Sequence, residues 1–283
     1  MIGVYDSGYG GLSVLRALRA ALPAMDFVYL GDNGRAPYGG RDLHTILDFS
    51  EQCVERLFDE GCDVVVVACH TVSCVALRHL QARYVREGRA DRRRVLGVTI
   101  PAAEIAVAAS AGHIGVLGTA RTVASGTFVA EIAKLGPHRV TQVAAPLLAP
   151  LVEEGLESSD IARAAARHYL AGLADCDTVV LGCTHFPLLL DVLAASTSAR
   201  VVDPSPHVAA RLVDWLERHP AFSTPRSSTG SLRVLCTGDP EAFRVHGSRF
   251  LGAPLDRVEP IAEQDGRLVP RARAAHPSGQ FVR

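Results

Sequence analysis

The sequence predicts an α/β fold made of two similar parallel-sheet halves, on three observations. Short β-branched runs alternate with longer stretches of helical period, the pattern of parallel strands joined by crossover helices. Apolar motifs of the first half recur in the same order in the second, at nearly constant offset. The 283 residues, 48% hydrophobic and 21% charged, suffice for one large domain or two small ones with a buried core.

Taken in order, the expected strands are Met1–Tyr5, Phe27–Gly31, Val64–Ala68, Arg94–Val98, His113–Leu117, Thr178–Leu181, Arg200–Asp203 and Leu232–Cys236. Helices fall between them. Leu12–Ala21 places Leu12, Leu15 and Leu18 on one face, continued by Leu22, and Asp42–Glu60 does the same with Leu43, Ile46, Leu47, Val54, Leu57 and Phe58. Lys134, just before Gly136, reads as the last turn of a helix with its cap. Asp239-Pro240 reads as an N-cap followed by proline at the first helical position. His219 to Ser231 is expected to be a loop, and the segment after Asp265, with four arginines and no acid, a frayed tail.

The repeat sharpens this outline. Ile2-Gly3-Val4 returns as Ile114-Gly115-Val116, 112 residues later. Val65-Val66-Val67-Ala68-Cys69 is echoed by Val179-Val180-Leu181-Gly182-Cys183, with the cysteines 114 apart, and Arg94-Val95 by Arg200-Val201, 106 apart. Buried parallel strands resemble one another, so coincidence is the competing explanation. The expected division is residues 1–96 with 206–262 in one unit, 97–205 in the other, and 263–283 as a tail.

Composition excludes several function classes. Thirty acids against 29 bases give a net charge of −1, which makes no electrostatic case for nucleic acid or an anionic membrane as partner. Of those bases 28 are arginine, and the one lysine, Lys134, sits at a helix end rather than in a Schiff-base or P-loop context. Seven cysteines without a CxxC fit neither a zinc ribbon nor a disulfide framework, and no Cys/His pair has the usual ligand spacing, so no metal is expected. Met1 runs straight into a strand, and no stretch approaches the roughly 18 apolar residues of a membrane span. The reduced cytoplasm is the expected compartment.

Chemistry concentrates at two strand ends. Ala68-Cys69-His70-Thr71 and Gly182-Cys183-Thr184-His185 each place a thiol after a small residue at the carboxyl end of a buried strand, where open α/β sheets bind ligands. If the halves face one another, the two thiols flank a shared cleft. Cys53, Cys62, Cys74, Cys176 and Cys236 lack this setting and read as packing thiols. Asp6-Ser7-Gly8-Tyr9-Gly10-Gly11 follows the first strand and could cradle an anion on backbone N–H groups, although Ser13 stands where a dinucleotide fingerprint has its last glycine. Asp6 is open to two readings, a helix N-cap or a site residue. Gly31-Asp32 and Pro37-Tyr38-Gly39-Gly40 form a rigid turn, structural or ligand-binding.

At these residues the chain resembles the glutamate racemases, cofactor-independent enzymes that supply D-glutamate to bacterial cell-wall synthesis. The matching blocks are IGVYDSGYGGLSVLR, YLGD…APYG, VVVVACHT, IGVLGTARTVASG, PLVEEG, VVLGCTHFPLL and TGDPEAF, in order over most of the chain. The resemblance implies two α/β domains related by pseudo-twofold symmetry, with the active site in the cleft between them. It implies that Cys69 and Cys183 are the two catalytic bases, the first acting on the D-enantiomer and the second on the L-enantiomer. Asp6, His185 and Glu153 match positions that assist the thiols, and Asp32 a further one on the substrate side. Ser7, Pro37, Tyr38, Gly39, Thr71, Thr119, Thr122 and Thr184 match substrate-binding positions. Relatives form dimers of differing arrangement, so a homodimer and a small amino-acid substrate are the expected partners.

One position departs from the family pattern. Where Ala-Cys-Asn-Thr is usual, residue 70 is His, larger than Asn and able to carry a charge. That keeps open a related racemase, isomerase or decarboxylase acting on another α-acid, and a non-catalytic binding protein on the same scaffold. A thiol hydrolase pairing Cys69 with His70 or His185 is disfavoured, because neighbouring side chains after a strand are expected to diverge.

Overall fold

The computed structural model describes residues 1–85, 93–223 and 229–271. Its strands are β1 (Ile2–Asp6), β2 (Phe27–Gly31), β3 (Val64–Val67), β4 (Arg94–Gly97), β5 (His113–Gly118), β6 (Arg139–Ala144), β7 (Thr178–Gly182), β8 (Arg200–Val202), β9 (Leu232–Cys236), β10 (Glu259–Gln264) and β11 (Arg267–Pro270). The helices are α1 (Gly11–Ala21), α2 (Leu43–Asp59), α3 (His70–Val75), α4 (Leu77–Tyr84), α5 (Thr99–Ala109), α6 (Ala120–Ala124), α7 (Thr127–Leu135), α8 (Leu148–Glu153), α9 (Asp160–Leu170), α10 (Leu190–Ala194), α11 (Ser205–Arg218) and α12 (Pro240–Leu251).

Two sheets result. One has the order β11-β10-β9-β2-β1-β3-β4 and the other β6-β5-β7-β8. Every pairing is parallel except β10 with β11. The segment β2-β1-β3-β4 is thus matched strand for strand by β6-β5-β7-β8, which is the repeat written as topology. All eight expected strands form, with no end displaced by more than one residue.

β6 was not expected, and its character explains why. It lies at the edge of its sheet, and none of its six residues is fully buried, so it lacks the apolar run of a central strand. It is nevertheless the counterpart of β2: adding the 112-residue spacing of the repeat to 27–31 gives 139–143, inside β6.

The reading of 263–283 as a tail is corrected in its first part. β10 and β11 form an antiparallel hairpin through Asp265-Gly266, both at positive φ (50° and 78°), and β10 adds to β9. Asp-Gly is the turn that a two-residue hairpin demands. Each hairpin strand buries a single large apolar side chain, Ile261 and Leu268, too few to show as a hydrophobic pattern. Residues 272–283 lie outside the described residues.

Local expectations hold where a specific cap was named. Asp239 accepts a hydrogen bond from the Ala242 N–H at 2.6 Å at the start of α12, and α7 ends on Lys134, Leu135 and Gly136, with Lys134 paired to Glu131 at 2.8 Å. In the expected 219–231 loop a short 3₁₀ turn spans Pro220–Phe222, and 224–228 fall outside the described residues. α1 buries Leu12, Leu15 and Leu18 against its sheet and packs on α11 and α12. The consequence for chemistry is positional: the carboxyl ends of β1, β3, β5 and β7, the central strands of both sheets, carry Asp6, Cys69, Thr119 and Cys183.

Candidate active site

The strand ends open on a cavity of about 330 Å³. Both sheets line it. From the first come Ser7, Gly8, the Ala36–Gly40 turn, Cys69, His70 and Thr71; from the second come Thr119, Ala120, the 145–153 segment, and Cys183 to Phe186. That volume suits a small polar molecule.

Cys69 is the N-cap residue of α3 and is 5% exposed. Its sulfur lies 3.3 Å from the Ser7 hydroxyl. Burial, the Asp6 carboxylate and Cys183 together raise its proton affinity, and the thiol is pushed up to about 12 despite help from Ser7 and a backbone N–H. It is held protonated.

Cys183 follows β7 and has a different neighbour. Its sulfur is 3.9 Å from His185 Nδ1, and His185 Nε2 is 2.9 Å from a Glu153 carboxylate oxygen. His185 thus stands beside Cys183, where the resemblance places a group that assists the thiol. His185 adopts the helical region (φ −79°, ψ −31°) at the start of a 3₁₀ turn, Phe186–Leu189, which curls its ring back toward the sulfur. Burial opposes a charge on this ring, but the hydrogen bonds to Cys183 and Glu153 outweigh it and raise His185 to about 10. It is an imidazolium at neutral pH.

Asp6 is not the N-cap residue of α1, a position held by Gly10, although its carboxylate also takes a backbone hydrogen bond from Gly11 at the helix start. α1 begins at Gly11, and the fully buried Asp6 accepts from the Gly8 N–H at 2.9 Å and from the Thr184 hydroxyl at 3.2 Å. Burial raises its pKa, offset by His185 and by these donors. It links the two sheets without lining the cavity. Gly10 makes the link sterically feasible, since a Cβ there would come within 2.4 Å of the Thr184 hydroxyl oxygen and 2.6 Å of His185 Nδ1. Ser13, noted as a break in the dinucleotide pattern, donates to the Gly10 carbonyl at 2.8 Å and to the Thr184 carbonyl at 3.1 Å. No local pattern marks that second contact, between residues 171 apart in the chain.

His70 resolves the charge question at the departing position. It is 3% exposed, stacks on Phe128 (centroids 6.1 Å apart, 12° between planes), and burial lowers it to about 4. Neither ring nitrogen has a hydrogen-bond partner among the described residues, although the residue lines the cavity. It is a neutral imidazole with one donor and one acceptor unspent.

Among the expected substrate positions, Ser7, Pro37, Tyr38, Gly39, His70, Thr71, Thr119 and Thr184 line the cavity; Asp32 and Thr122 do not. Asp32 is fully buried behind the turn, where its carboxylate accepts from Arg35 Nε at 2.8 Å, from the Thr237 hydroxyl at 2.7 Å and from the Tyr38 hydroxyl. It orients Tyr38. Thr122 stands behind Thr119, whose hydroxyl contacts it at 3.0 Å and meets Thr71 at 2.9 Å across the cleft. The Ala36–Gly40 turn, with a cis Ala36–Pro37 bond, is tied to the second sheet by the Arg121 N–H donating to the Gly39 carbonyl at 3.0 Å. The apolar wall formed by Ala145, Pro146, Ala149, Pro150 and Phe186 was not anticipated, and small apolar residues offer no sequence signal for such a role.

Comparisons with known proteins agree with this geometry. The profile of the Asp/Glu/Hydantoin racemase family matches residues 2–212. A glutamate racemase of Geobacter metallireducens is 37% identical over 267 residues, covering 92% of this chain and 96% of the relative. The crystal structure of Francisella tularensis glutamate racemase in complex with D-glutamate superposes with a TM-score of 0.84 at 29% identity, covering 92% of this chain and 97% of that one. The Thermus thermophilus glutamate racemase in complex with β-chloro-D-alanine gives 0.80 at 36% identity, with 92% and 96% covered. No helix among the described residues is long and apolar enough to cross a membrane. With three quarters of its length matched by the family profile and a full-length relative above one-third identity, the chain belongs to the Asp/Glu/Hydantoin racemase family and is an amino-acid racemase.

Proposed function

We propose that this protein interconverts L- and D-glutamate by a two-thiol mechanism, with Cys183 acting on the L-enantiomer and Cys69 on the D-enantiomer. The observation that carries the reading is the pair of thiols at equivalent strand ends of two sheets, opening on one cavity with opposite electrostatic surroundings. Inverting a stereocentre requires removal of the α-proton from one face and delivery from the other. Cys183, beside the His185 imidazolium, is poised to take the proton, and Cys69, held as a thiol, to give one. After one turnover the two sulfurs have exchanged protonation states, which suits the reverse reaction or a proton exchange with solvent.

The transition state is carbanion-like, so the substrate carboxylate must be met by donors. The hydroxyls of Ser7, Thr71, Thr119 and Thr184 line the cavity for this task. Units spanning 1–96 with 206–271, and 97–205, supply one thiol each, and Asp6 and Glu153 assist from opposite sides.

The neutral His70 favours glutamate over an altered substrate. One N–H and one lone pair are what an Asn amide also offers, so the departure keeps the chemistry of the family pattern at that position. The D-glutamate and β-chloro-D-alanine seen with the solved relatives support an α-amino acid as substrate. The family resemblance extends the reading to peptidoglycan as the destination of the product.

The test is incubation of each glutamate enantiomer in heavy water. Deuterium at Cα with inversion is expected, and full activity surviving Cys183→Ser sinks the two-thiol reading. Aspartate and other α-acids, screened beside glutamate by chiral chromatography, decide the substrate. Complementation of a D-glutamate auxotroph tests the destination.

A further inference from the structure

We infer that Arg249 is a positioning residue for the Glu153–His185 pair, reaching across from the first sheet's helix layer to hold the second sheet's acid–base dyad in place. The inference rests on the proposed role of that dyad beside Cys183. α12, which carries Arg249, packs on α1, and its Phe243 lies against Gly31 of β2, so it belongs to the first sheet's layer. Glu153 is the last residue of α8, on the other side of the cleft.

The contacts are specific. Arg249 Nη2 donates to the Val152 carbonyl at 3.0 Å, and Nη1 to the Glu153 carbonyl at 3.4 Å. These belong to the last carbonyls of α8, a helix end that favours a cation, and the Val152 carbonyl also accepts from the Gly155 N–H at 3.1 Å. The same Nη2 lies 2.8 Å from both carboxylate oxygens of Glu157, so the guanidinium is neutralised from beyond the helix end and grips the backbone that bears Glu153. The next residue, Phe250, is fully buried and presents its ring to the His185 imidazole in an edge arrangement at 5.1 Å. Adjacent residues of one helix thus touch both members of the dyad, one through backbone and one through its ring.

Glu153 needs such an anchor. Its side chain is 39% exposed, and α8 is only six residues long, so the helix alone does little to fix where the carboxylate sits. The charged groups that face His185 are Cys183 on its own segment, Asp6 at the end of β1 and Glu153 on α8; Tyr9, from the loop before α1, faces Glu153. Of these, Glu153 alone depends on α8 for its placement. Releasing α8 therefore loosens the Glu153 contact, weakens the hold on the His185 proton and leaves Cys183 with a neutral neighbour at lower pH.

The test uses the full chain with Arg249→Gln, Arg249→Lys and Glu153→Gln. Two quantities are read: the pH profile of kcat for L-glutamate, and the pH dependence of iodoacetamide alkylation at Cys183 located by peptide mass spectrometry. Arg249→Gln is expected to lower kcat about ten-fold with KM changed less than about three-fold, to move the basic limb down by about one pH unit, and to move Cys183 alkylation to higher pH, because a thiolate that loses its imidazolium neighbour is less stabilised. Arg249→Lys, which keeps the cation, is expected to recover part of both. A role confined to stability would move Tm and leave both pH readings in place, and that result overturns the inference. Glu153→Gln separates the layers of the argument. If it leaves the Cys183 titration unmoved, the role assigned to the dyad fails. If it moves the titration while Arg249→Gln does not, only the Arg249 inference is lost.

Discussion

Cys69 and Cys183 stand at the same place on equivalent strands, 114 residues apart in the chain, and are almost equally buried, yet the protein treats them differently. Around Cys69 the neighbours are a hydroxyl and a carboxylate, and the thiol keeps its proton. Around Cys183 the neighbour is an imidazolium backed by Glu153. The histidines sharpen the contrast, since one follows its cysteine directly and the other lies one residue further on. His70 stacks on Phe128 and is pushed down to about 4, whereas His185 bonds Cys183 and Glu153 and rises to about 10. A repeated scaffold supplies geometry on both faces of a substrate. Unequal surroundings then let one sulfur accept a proton while the other donates.

The largest effect should come from breaking this comparison at the sulfurs. Cys69→Ser and Cys183→Ser are each expected to reduce racemisation about 1,000-fold. They should differ in what survives: in heavy water Cys69→Ser retains exchange into L-glutamate without inversion, and Cys183→Ser retains exchange into D-glutamate. Proton NMR of the α-position reads this directly, and equal behaviour of the two variants would refute the assignment of faces.

Next in size is a contact behind the Cys69 side of the cleft. Asp32→Asn leaves Arg35 without the carboxylate that it grips with two hydrogen bonds, and should cost about 3 kcal/mol in urea unfolding. Its effect on KM should be no larger than that of Tyr38→Phe, since Asp32 acts through Tyr38. A KM effect well beyond that would return Asp32 to direct substrate contact.

The two histidines should tilt stability in opposite pH windows. His70, lowered to about 4 in the folded chain against 6.5 for the free group, binds its proton more readily when unfolded, so stability falls as pH drops from 6.5 toward 4. The loss amounts to about 3 kcal/mol and should be absent in His70→Asn. His185, raised to about 10, contributes stability that is complete below 6.5 and fades as pH climbs through 10. Urea melts across pH 4–10 check both slopes. The smallest effect belongs to the thiols outside the cavity: Cys74→Ala, losing a 3.4 Å contact to Thr99, should change stability by about 1 kcal/mol or less and leave kcat within two-fold.

What was legible in the sequence follows from how local the signal is. Central parallel strands are continuous apolar runs, so β3 and β7 announced themselves and with them the strand ends that carry the thiols. Edge strands alternate or carry few apolar residues, so β6 and the β10–β11 hairpin did not, although the repeat and Asp265-Gly266 both marked them. The motif around Gly182-Cys183-Thr184-His185 pointed to the site and to His185 as an aid to the thiol, and a 3₁₀ turn curls that ring back toward the sulfur.

The amino-acid order alone therefore determined eight of the eleven strands among the described residues, the repeat that relates the two halves and the placement of one thiol at each of two ligand-facing strand ends, because periodicity and strand length are properties of short segments. Tertiary structure decided the partners. Asp6 with Thr184, Ser13 with the Thr184 carbonyl, Glu153 with His185 and Arg249 with α8 join residues 32 to 178 positions apart. It also decided which histidine is charged. Proton affinity is set by burial and by the neighbours that folding brings within hydrogen-bonding reach, and no local pattern records them.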